Sequence, residues 1–140
     1  MRIVADASVA VKWIFHDAPG EIDIARGLSL LDGVRNGTID LVQPEHWIIE
    51  IAQAAVLKAP ERAKMLMADV RALPFETIHS WDILDKAMEL SARLKHHLFD
   101  AVYHAIALEH DALFVTADDR YFAKAFQLGN IKMLTAFAAP

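Results

Sequence analysis

Four acidic residues lie at positions where an α/β protein can build a site. They are Asp6, Glu50, Asp100 and Asp118. Carboxylate oxygens are the ligands that hard divalent cations such as Mg²⁺ and Mn²⁺ prefer, and four converging carboxylates repel one another unless a cation lies between them. Ions held there can activate a water and neutralise charge on a phosphodiester during in-line attack. The acids therefore raise the hypothesis of a metal-dependent phosphodiesterase.

Each acid also has an ordinary structural interpretation. Asp100 and Asp118 lie where predicted helices begin, so either can be an N-cap, and Asp119 can be a first-turn acid. Ser8 and Thr116 can cap their helices or turn their hydroxyl groups toward the same edge of the sheet. The sequence leaves these alternatives open.

Glu50 is the acid that a solvated surface explains least well. It shares a helix face with Trp47, Ile51 and Ala54. A buried carboxylate without a partner is costly and tends to stay protonated. The alternative is a salt bridge to a Lys or Arg from elsewhere in the chain.

Alternating apolar segments and amphipathic patterns predict the elements that position these acids. Strands are predicted at residues 2–5, 38–42, 75–79, 112–116 and 131–134. Seven helices are predicted. The first follows a Ser8 cap, and the others lie at 21–31, 45–58, 61–72, from a Ser80 cap to 95, from 98 to the turn at 109–111, and at 121–128. Pro44 is expected in the first turn of the 45–58 helix, and Gly129 as the C-cap of the last helix. Asp6 and Asp118 then follow two strands, while Asp100 begins a helix. Strands separated by helices predict an α/β fold with a mainly parallel sheet of about five strands and helices on both faces.

Composition limits the remaining possibilities. The chain has 140 residues, of which 55% are hydrophobic, with a net charge of −5 and no cysteine. We expect one domain over residues 1–140, no disulfide, no membrane span, no signal peptide and a cytoplasmic location. The net negative charge counts against a nucleic-acid binder, unless bound cations make the electrostatic potential at the site positive.

Four motifs in order along the chain are similar to those of one family. They are Val4-Ala5-Asp6-Ala7-Ser8, the segment from Pro44 to Glu50, Asp100-Ala101, and Val115-Thr116-Ala117-Asp118. The chain resembles the PIN-domain ribonucleases and, among them, the VapC-like toxins of bacterial type II toxin–antitoxin pairs. One departure is Gln53, which stands where the family often has Asn.

The resemblance implies a PIN-like α/β/α sandwich that binds Mg²⁺ or Mn²⁺ and cleaves RNA. Asp6, Glu50, Asp100 and Asp118 become the expected metal-binding and catalytic acids, with Asp119 as an auxiliary metal ligand. Ser8 and Thr116 are expected to support the site by hydrogen bonds. The resemblance also implies a small antitoxin protein as partner and a homodimer.

Several other interpretations were compared with this one. The chain has seven histidines, but His97 and His104 do not have the spacing of helix-borne zinc ligands. A phosphotransferase of the haloacid-dehalogenase kind needs an acid where Ser8 stands, and a receiver domain needs paired acids that are not evident. The strongest alternative is a PIN-like protein-binding module with little or no nuclease activity.

Basic residues form no dense patch. Five scattered side chains are candidates for phosphate contacts, although solvated surface is the favoured interpretation for each of them: Lys12, Arg93, Lys95, Arg120 and Lys124.

Overall fold

Five parallel strands form one sheet at the centre of the computed structural model, which describes residues 1–140. The strands are β1 (Arg2–Ala5), β2 (Asp40–Pro44), β3 (Glu76–Ile78), β4 (Leu113–Thr116) and β5 (Ile131–Met133). The helices are α1 (Ala7–Ile14), α2 (Ile24–Arg35), α3 (His46–Lys58), α4 (Ala63–Arg71), α5 (Trp81–Leu94), α6 (Leu98–Glu109) and α7 (Asp119–Ala125). Short 3-10 turns follow at Phe126–Leu128 and Leu134–Ala136. The predicted α/β/α sandwich is confirmed.

The strand order places a crevice between β1 and β4. The sheet runs β3-β2-β1-β4-β5, so the chain leaves β1 on one side to make β2 and β3 and then returns on the other side to make β4. At such a switch point the loops after the two central strands diverge, and ligands bind in the crevice outside the carboxyl ends. The residues that follow β1 and β4 therefore meet at this edge.

The core is one cluster of 38 buried hydrophobic residues. Ile3, Val4 and Ala5 of β1 and Phe114 and Val115 of β4 have no solvent exposure. This explains why the central strands are nearly continuous apolar segments, since helices cover both of their faces. No helix in this fold combines the length and the apolar character that a bilayer crossing needs.

Several predicted element boundaries were wrong, each for a local reason. Ser8 does not cap α1, because Asp6 is the N-cap and accepts a hydrogen bond from the Ser8 amide. Pro44 ends β2 rather than beginning α3, since its position pairs with Ile78 in the parallel ladder. The helix predicted at 21–31 ends at Arg35 instead, so Gly33 lies inside α2, where a Cβ atom would come within 2.5 Å of Ile39 Cδ1 and the missing side chain permits close packing.

The end of the chain departs from the prediction by a few residues. Helix α7 begins at Asp119 and ends at Ala125, before the 3-10 turn. Gly129 follows that turn with a φ of 80°, a conformation that glycine adopts without strain. The predicted cap at Gly129 is therefore right in position, but it ends the 3-10 turn.

The Ser80 cap of α5 is confirmed, because Ser80 Oγ accepts a hydrogen bond from the Ile83 amide at 3.2 Å. We expect Ser80→Ala to lower the free energy of unfolding by about 1 kcal/mol, because it leaves a helix N–H group without its side-chain partner. Urea denaturation measures the change. Ser29→Ala is the matched control, because Ser29 is exposed in the middle of α2 and makes no hydrogen bond, and it should cost nothing. Equal stability of the two variants would contradict the role of the cap.

Candidate metal centre

A network of hydrogen bonds joins the carboxyl ends of β1 and β4. Thr116 Oγ1 donates to Asp6 Oδ2 at 2.6 Å and accepts from the Asp118 amide at 3.0 Å. The Ser8 hydroxyl accepts from the Ala117 amide at 3.2 Å, and the Asp6 amide donates to the Val115 carbonyl at 2.9 Å. These contacts fix the loops after both strands relative to each other, so that the Asp6 side chain has one defined position.

Asp6 lies at the bottom of this crevice and is only 5% exposed. Burial raises the pKa of its carboxyl to about 6, against the opposing effect of the hydrogen bonds from Thr116 and Ser8, and the nearby charge of Asp100 raises it further. A desolvated carboxylate that lies near other carboxylates binds protons more tightly than one in water. For the same reason it would gain from a cation.

Glu50 comes to the site from the first half of α3. Its Oε2 accepts a hydrogen bond from the Tyr103 hydroxyl at 2.5 Å. Burial raises the pKa of Glu50 to about 7, the Tyr103 bond opposes this, and the charges of Asp6 and Asp100 add to it. The alternative of a salt bridge to Lys or Arg is wrong, because the partner is a phenol and the charge of Glu50 stays unneutralised.

Asp100 and Asp118 approach each other at the mouth of the site, with His96 beside both. His96 Nε2 lies 2.8 Å from Asp100 Oδ2 and 3.9 Å from Asp118 Oδ2. One atom of each of the three side chains lies within 4.8 Å of the others, and all three residues are half-buried. Burial raises the pKa of Asp100, the contact with His96 opposes this, and the charge of Asp118 raises it further.

The two helix-start acids differ in their structural role. Asp118 is the N-cap of α7, and its Oδ1 accepts from the amides of Arg120 and Tyr121. Asp100 is not a cap, because α6 begins two residues earlier, after His97. The cap interpretation is thus confirmed for Asp118 and wrong for Asp100, whose side chain is left for the site.

Oxygen atoms remain without hydrogen bonds on three of the four acids. They are Glu50 Oε1, Asp100 Oδ1 and Asp118 Oδ2. No Lys or Arg side chain forms a salt bridge with any of the four carboxylates. A group of hard oxygen donors whose charge no basic side chain balances has the composition that Mg²⁺ or Mn²⁺ requires. The residues therefore fit such an ion.

The remaining predicted residues have clear positions. Asp119 is exposed at the start of α7 and lines a hollow with Lys12 and Asp23. Gln53, where the sequence departs from the family pattern, is exposed on α3 and makes no side-chain hydrogen bond. The structure thus brings together Asp6, Glu50, Asp100 and Asp118, with Ser8 and Thr116 behind them, and leaves Asp119 at the edge.

Two contributors were missed at the level of sequence. His96 was not among the predicted site residues, but it lies between two site carboxylates. Its spacing of four residues from Asp100 was a usable signal. Tyr103, buried in α6, carried no signal of its partner, because Glu50 is 53 residues away in the chain. His104 is a buried core residue, with its ring nitrogens at the Tyr121 hydroxyl and the Gly129 carbonyl.

Two of the basic candidates are engaged in other contacts. Lys12 is buried and forms a salt bridge with Glu21 at 3.2 Å, so solvated surface is the wrong description. Lys124 Nζ donates to the Lys95 carbonyl at 2.9 Å and lies 3.3 Å from His96 Nδ1. Arg120 is exposed beside Asp118 and has no side-chain hydrogen bond, so it is free to contact a phosphate.

Comparison with known proteins gives one family and a set of similar folds. The family model of the PIN domain matches residues 3–127. No curated protein matches the chain significantly.

Similar solved structures include three toxin or toxin–antitoxin proteins. VapBC2 from Rickettsia felis, bound to a DNA fragment from its promoter, is 16% identical with a TM-score of 0.65 and covers 95% of this chain and 97% of its own. VapC20 from Mycobacterium tuberculosis, a toxin that cleaves the sarcin-ricin loop, is 16% identical with a TM-score of 0.64 over 86% and 94%. A toxin–antitoxin complex from Klebsiella pneumoniae is 16% identical with a TM-score of 0.63 over 94% and 97%. At this identity the likeness establishes a common fold.

The raised pKa of Asp6 predicts how the stability of the metal-free protein depends on pH. Below pH 3.8, its ordinary pKa, the carboxyl is protonated in both states and its burial costs no charge. Between that value and about 6 the unfolded chain loses the proton while the folded one keeps it, so stability falls as the pH rises. The full loss is about 3 kcal/mol above pH 6. Urea denaturation in a chelator from pH 4 to 8 measures it.

Asp6→Asn should remove this loss, because the amide has nearly the shape of the carboxyl group and no proton to lose. Asp85→Asn is the control, because Asp85 is an exposed acid of α5 with no hydrogen bond or salt bridge, and it should leave the pH dependence as in the wild type. The difference in free energy of unfolding between the wild type and Asp6→Asn should therefore change with pH. A difference that stays constant from pH 4 to 8 would contradict the raised pKa of Asp6.

Proposed function

The chain belongs to the PIN-domain family, and from that premise we propose that it is a divalent-metal-dependent RNA endonuclease and the toxin of a toxin–antitoxin pair. The observation that carries this proposal is the convergence of four carboxylates, with no Lys or Arg partner, at the switch point of the sheet. A structural acid cluster would be expected to carry its own basic partners, since unpaired buried charge is costly.

In this proposal Asp6, Glu50, Asp100 and Asp118 hold Mg²⁺ or Mn²⁺, with Asp119 as an auxiliary ligand. The ion, when bound, lowers the pKa of a coordinated water and neutralises charge on the phosphodiester. The chain's own residues orient the reactants. Thr116 and Ser8 fix the position of Asp6, and Tyr103 holds Oε2 of Glu50, which leaves Oε1 of Glu50 free for the ion.

RNA is the proposed substrate because of the family and because a structurally similar protein from Mycobacterium tuberculosis is a toxin that cleaves the sarcin-ricin loop. Arg120, exposed beside Asp118, supplies a phosphate contact outside the acidic group. We propose that the protein acts in the cytoplasm, where RNA substrates are present.

A second function, a protein-binding module, is favoured by one observation. Helices α3 and α4 expose large apolar side chains, among them Ile49, Leu57 and Met65, which are 70%, 72% and 62% exposed. An apolar surface of this kind marks a contact with a partner. The nuclease proposal accommodates it through an antitoxin and a second copy of the chain, so that both functions use the same surface.

Cleavage by variants of the acids tests the nuclease. We expect the wild type to cleave single-stranded RNA with Mg²⁺ or Mn²⁺ and to be inactive in a chelator. Asp6→Asn and Asp100→Asn should each lower the rate at least 100-fold, because each removes a charged ligand. Gel assays on labelled RNAs of varied sequence measure the rates, and circular dichroism checks that the variants fold.

Asp85→Asn again supplies the matched control and should cleave at the wild-type rate. Full activity of either site variant, or a folded wild type that binds metal but cleaves no RNA, would overturn the nuclease proposal. The latter outcome would favour the binding module.

Co-expression tests the partner. We expect the protein expressed with its neighbouring open reading frame to co-purify with a small protein, and the pair to be inactive in the RNA assay. Leu57→Asp on the exposed face of α3 should weaken the retention of that protein or the self-association measured by light scattering. Purification of an active monomer without a bound protein would count against the toxin–antitoxin assignment.

A further inference from the structure

His96 is held in one orientation by contacts that do not involve the acids. It follows Lys95, which ends α5 in a left-handed conformation with a φ of 52°. The His96 amide donates to the Ser91 carbonyl at 3.2 Å, and Ser91 Oγ donates to the His96 carbonyl at 2.6 Å. The imidazole packs edge-on against Tyr121, with 5.0 Å between ring centroids, and its side chain is 9% exposed.

The two ring nitrogens of His96 face opposite kinds of group. Nε2 lies 2.8 Å from Asp100 Oδ2, which is a hydrogen-bond acceptor when the carboxyl is ionised. Nδ1 lies 3.3 Å from Lys124 Nζ, which is fixed by its bond to the Lys95 carbonyl at 2.9 Å. The ring therefore lies between an ammonium group and a carboxylate.

The ammonium group and the carboxylate both favour a proton on Nε2. An ammonium has donors and no acceptor, so Nδ1 has to be the nitrogen with the free lone pair. The proton of the neutral ring then sits on Nε2, which donates it to Asp100 Oδ2. A nitrogen that carries a proton has no lone pair for a metal ion, so the contact with Lys124 disfavours His96 as a ligand.

We infer that His96 is a positioning residue: with its tautomer set by Lys124, it holds Oδ2 of Asp100 and leaves Oδ1 of Asp100 free to bind the divalent ion. This inference rests on the proposed function and adds to it a residue that the four-acid motif does not contain. The short distances among His96, Asp100 and Asp118 would by themselves suggest three metal ligands. In this inference His96 supports Asp100 and does not bind the ion.

The tautomer can be measured in the metal-free protein. Long-range ¹H–¹⁵N NMR spectra at pH 8 distinguish the two neutral forms of an imidazole, and His96→Gln identifies the signal by its loss. We expect the Nε2–H form in the wild type and a larger share of the Nδ1–H form in Lys124→Met, because only the Asp100 carboxylate then favours a proton on Nε2. Lys124 is exposed, so this variant should fold.

Arg120→Met is the matched control, because it removes an exposed positive charge from the same helix without contacting His96. It should keep the Nε2–H form. An Nδ1–H form or a doubly protonated ring in the wild type at pH 8 would overturn the inference, and so would an unchanged tautomer in Lys124→Met.

Metal affinity tests the consequence for Asp100. We expect His96→Leu to weaken Mn²⁺ binding, followed by electron paramagnetic resonance, roughly 10- to 100-fold, because the loss of a supporting hydrogen bond frees the carboxylate. His96→Gln, which keeps an N–H donor at a similar reach, should recover most of the affinity. Circular dichroism checks the folding of both variants.

The same experiment distinguishes support from coordination. Pulsed resonance of the Mn²⁺-loaded wild type should show no directly bound imidazole nitrogen. A strong ¹⁴N coupling that disappears in His96→Gln, or an affinity of His96→Leu equal to that of the wild type, would overturn the inference while leaving the proposed function intact. A wild type that binds no Mn²⁺ would overturn the proposed function together with the role of His96, whatever its tautomer.

Discussion

Mutual repulsion of four carboxylates is the constraint on which the arrangement of this protein depends. Like charges brought together in a poorly solvated crevice cost energy that the surrounding contacts have to offset. The offset begins at the sheet, where β1 and β4 are neighbours in parallel register from Ile3 to Ala5. Thr116 then joins the two loops, because its one hydroxyl donates to Asp6 and accepts from the Asp118 amide.

The remaining acids are each held by a different kind of group. Glu50 is bonded to the phenol of Tyr103, Asp118 to two amides at the start of α7, and Asp100 to the imidazole of His96. All of these donors can be neutral, so they fix the oxygen atoms without cancelling the charge. Burial raises the pKa values of Asp6 and Glu50 to about 6 and about 7, and their hydrogen bonds oppose this rise.

The end of α5 contributes more than a connection to α6. Because Lys95 adopts a left-handed conformation, the chain turns so that the His96 ring points toward the acids while the Lys95 carbonyl receives Lys124. Lys124 of α7 thus contacts His96 in the turn after α5, and His96 in turn holds the carboxylate of Asp100 in the first turn of α6. This explains how a chain with few basic residues near its site can still orient Asp100 without an opposing charge in contact with it.

Local pattern alone was enough for the fold class, for Asp6 and Asp118 at the ends of two strands, and for the Ser80 cap. Strand and helix periods, turn residues and caps are set within a few residues, so one sequence contains them. The PIN-like motifs added Glu50 and Asp100 to the same site, and the structure places all four acids around one crevice.

Tertiary structure decided the partners of those acids. Glu50 and Tyr103 are 53 residues apart, Asp6 and Thr116 are 110 apart, and Lys124 and His96 are 28 apart. Lys12 was expected at the surface and is instead buried against Glu21. The sequence by itself determined the type and order of the elements and the acids that follow two of the strands. The packing of distant elements decided which groups meet there, since contacts across the sheet have no period along the chain.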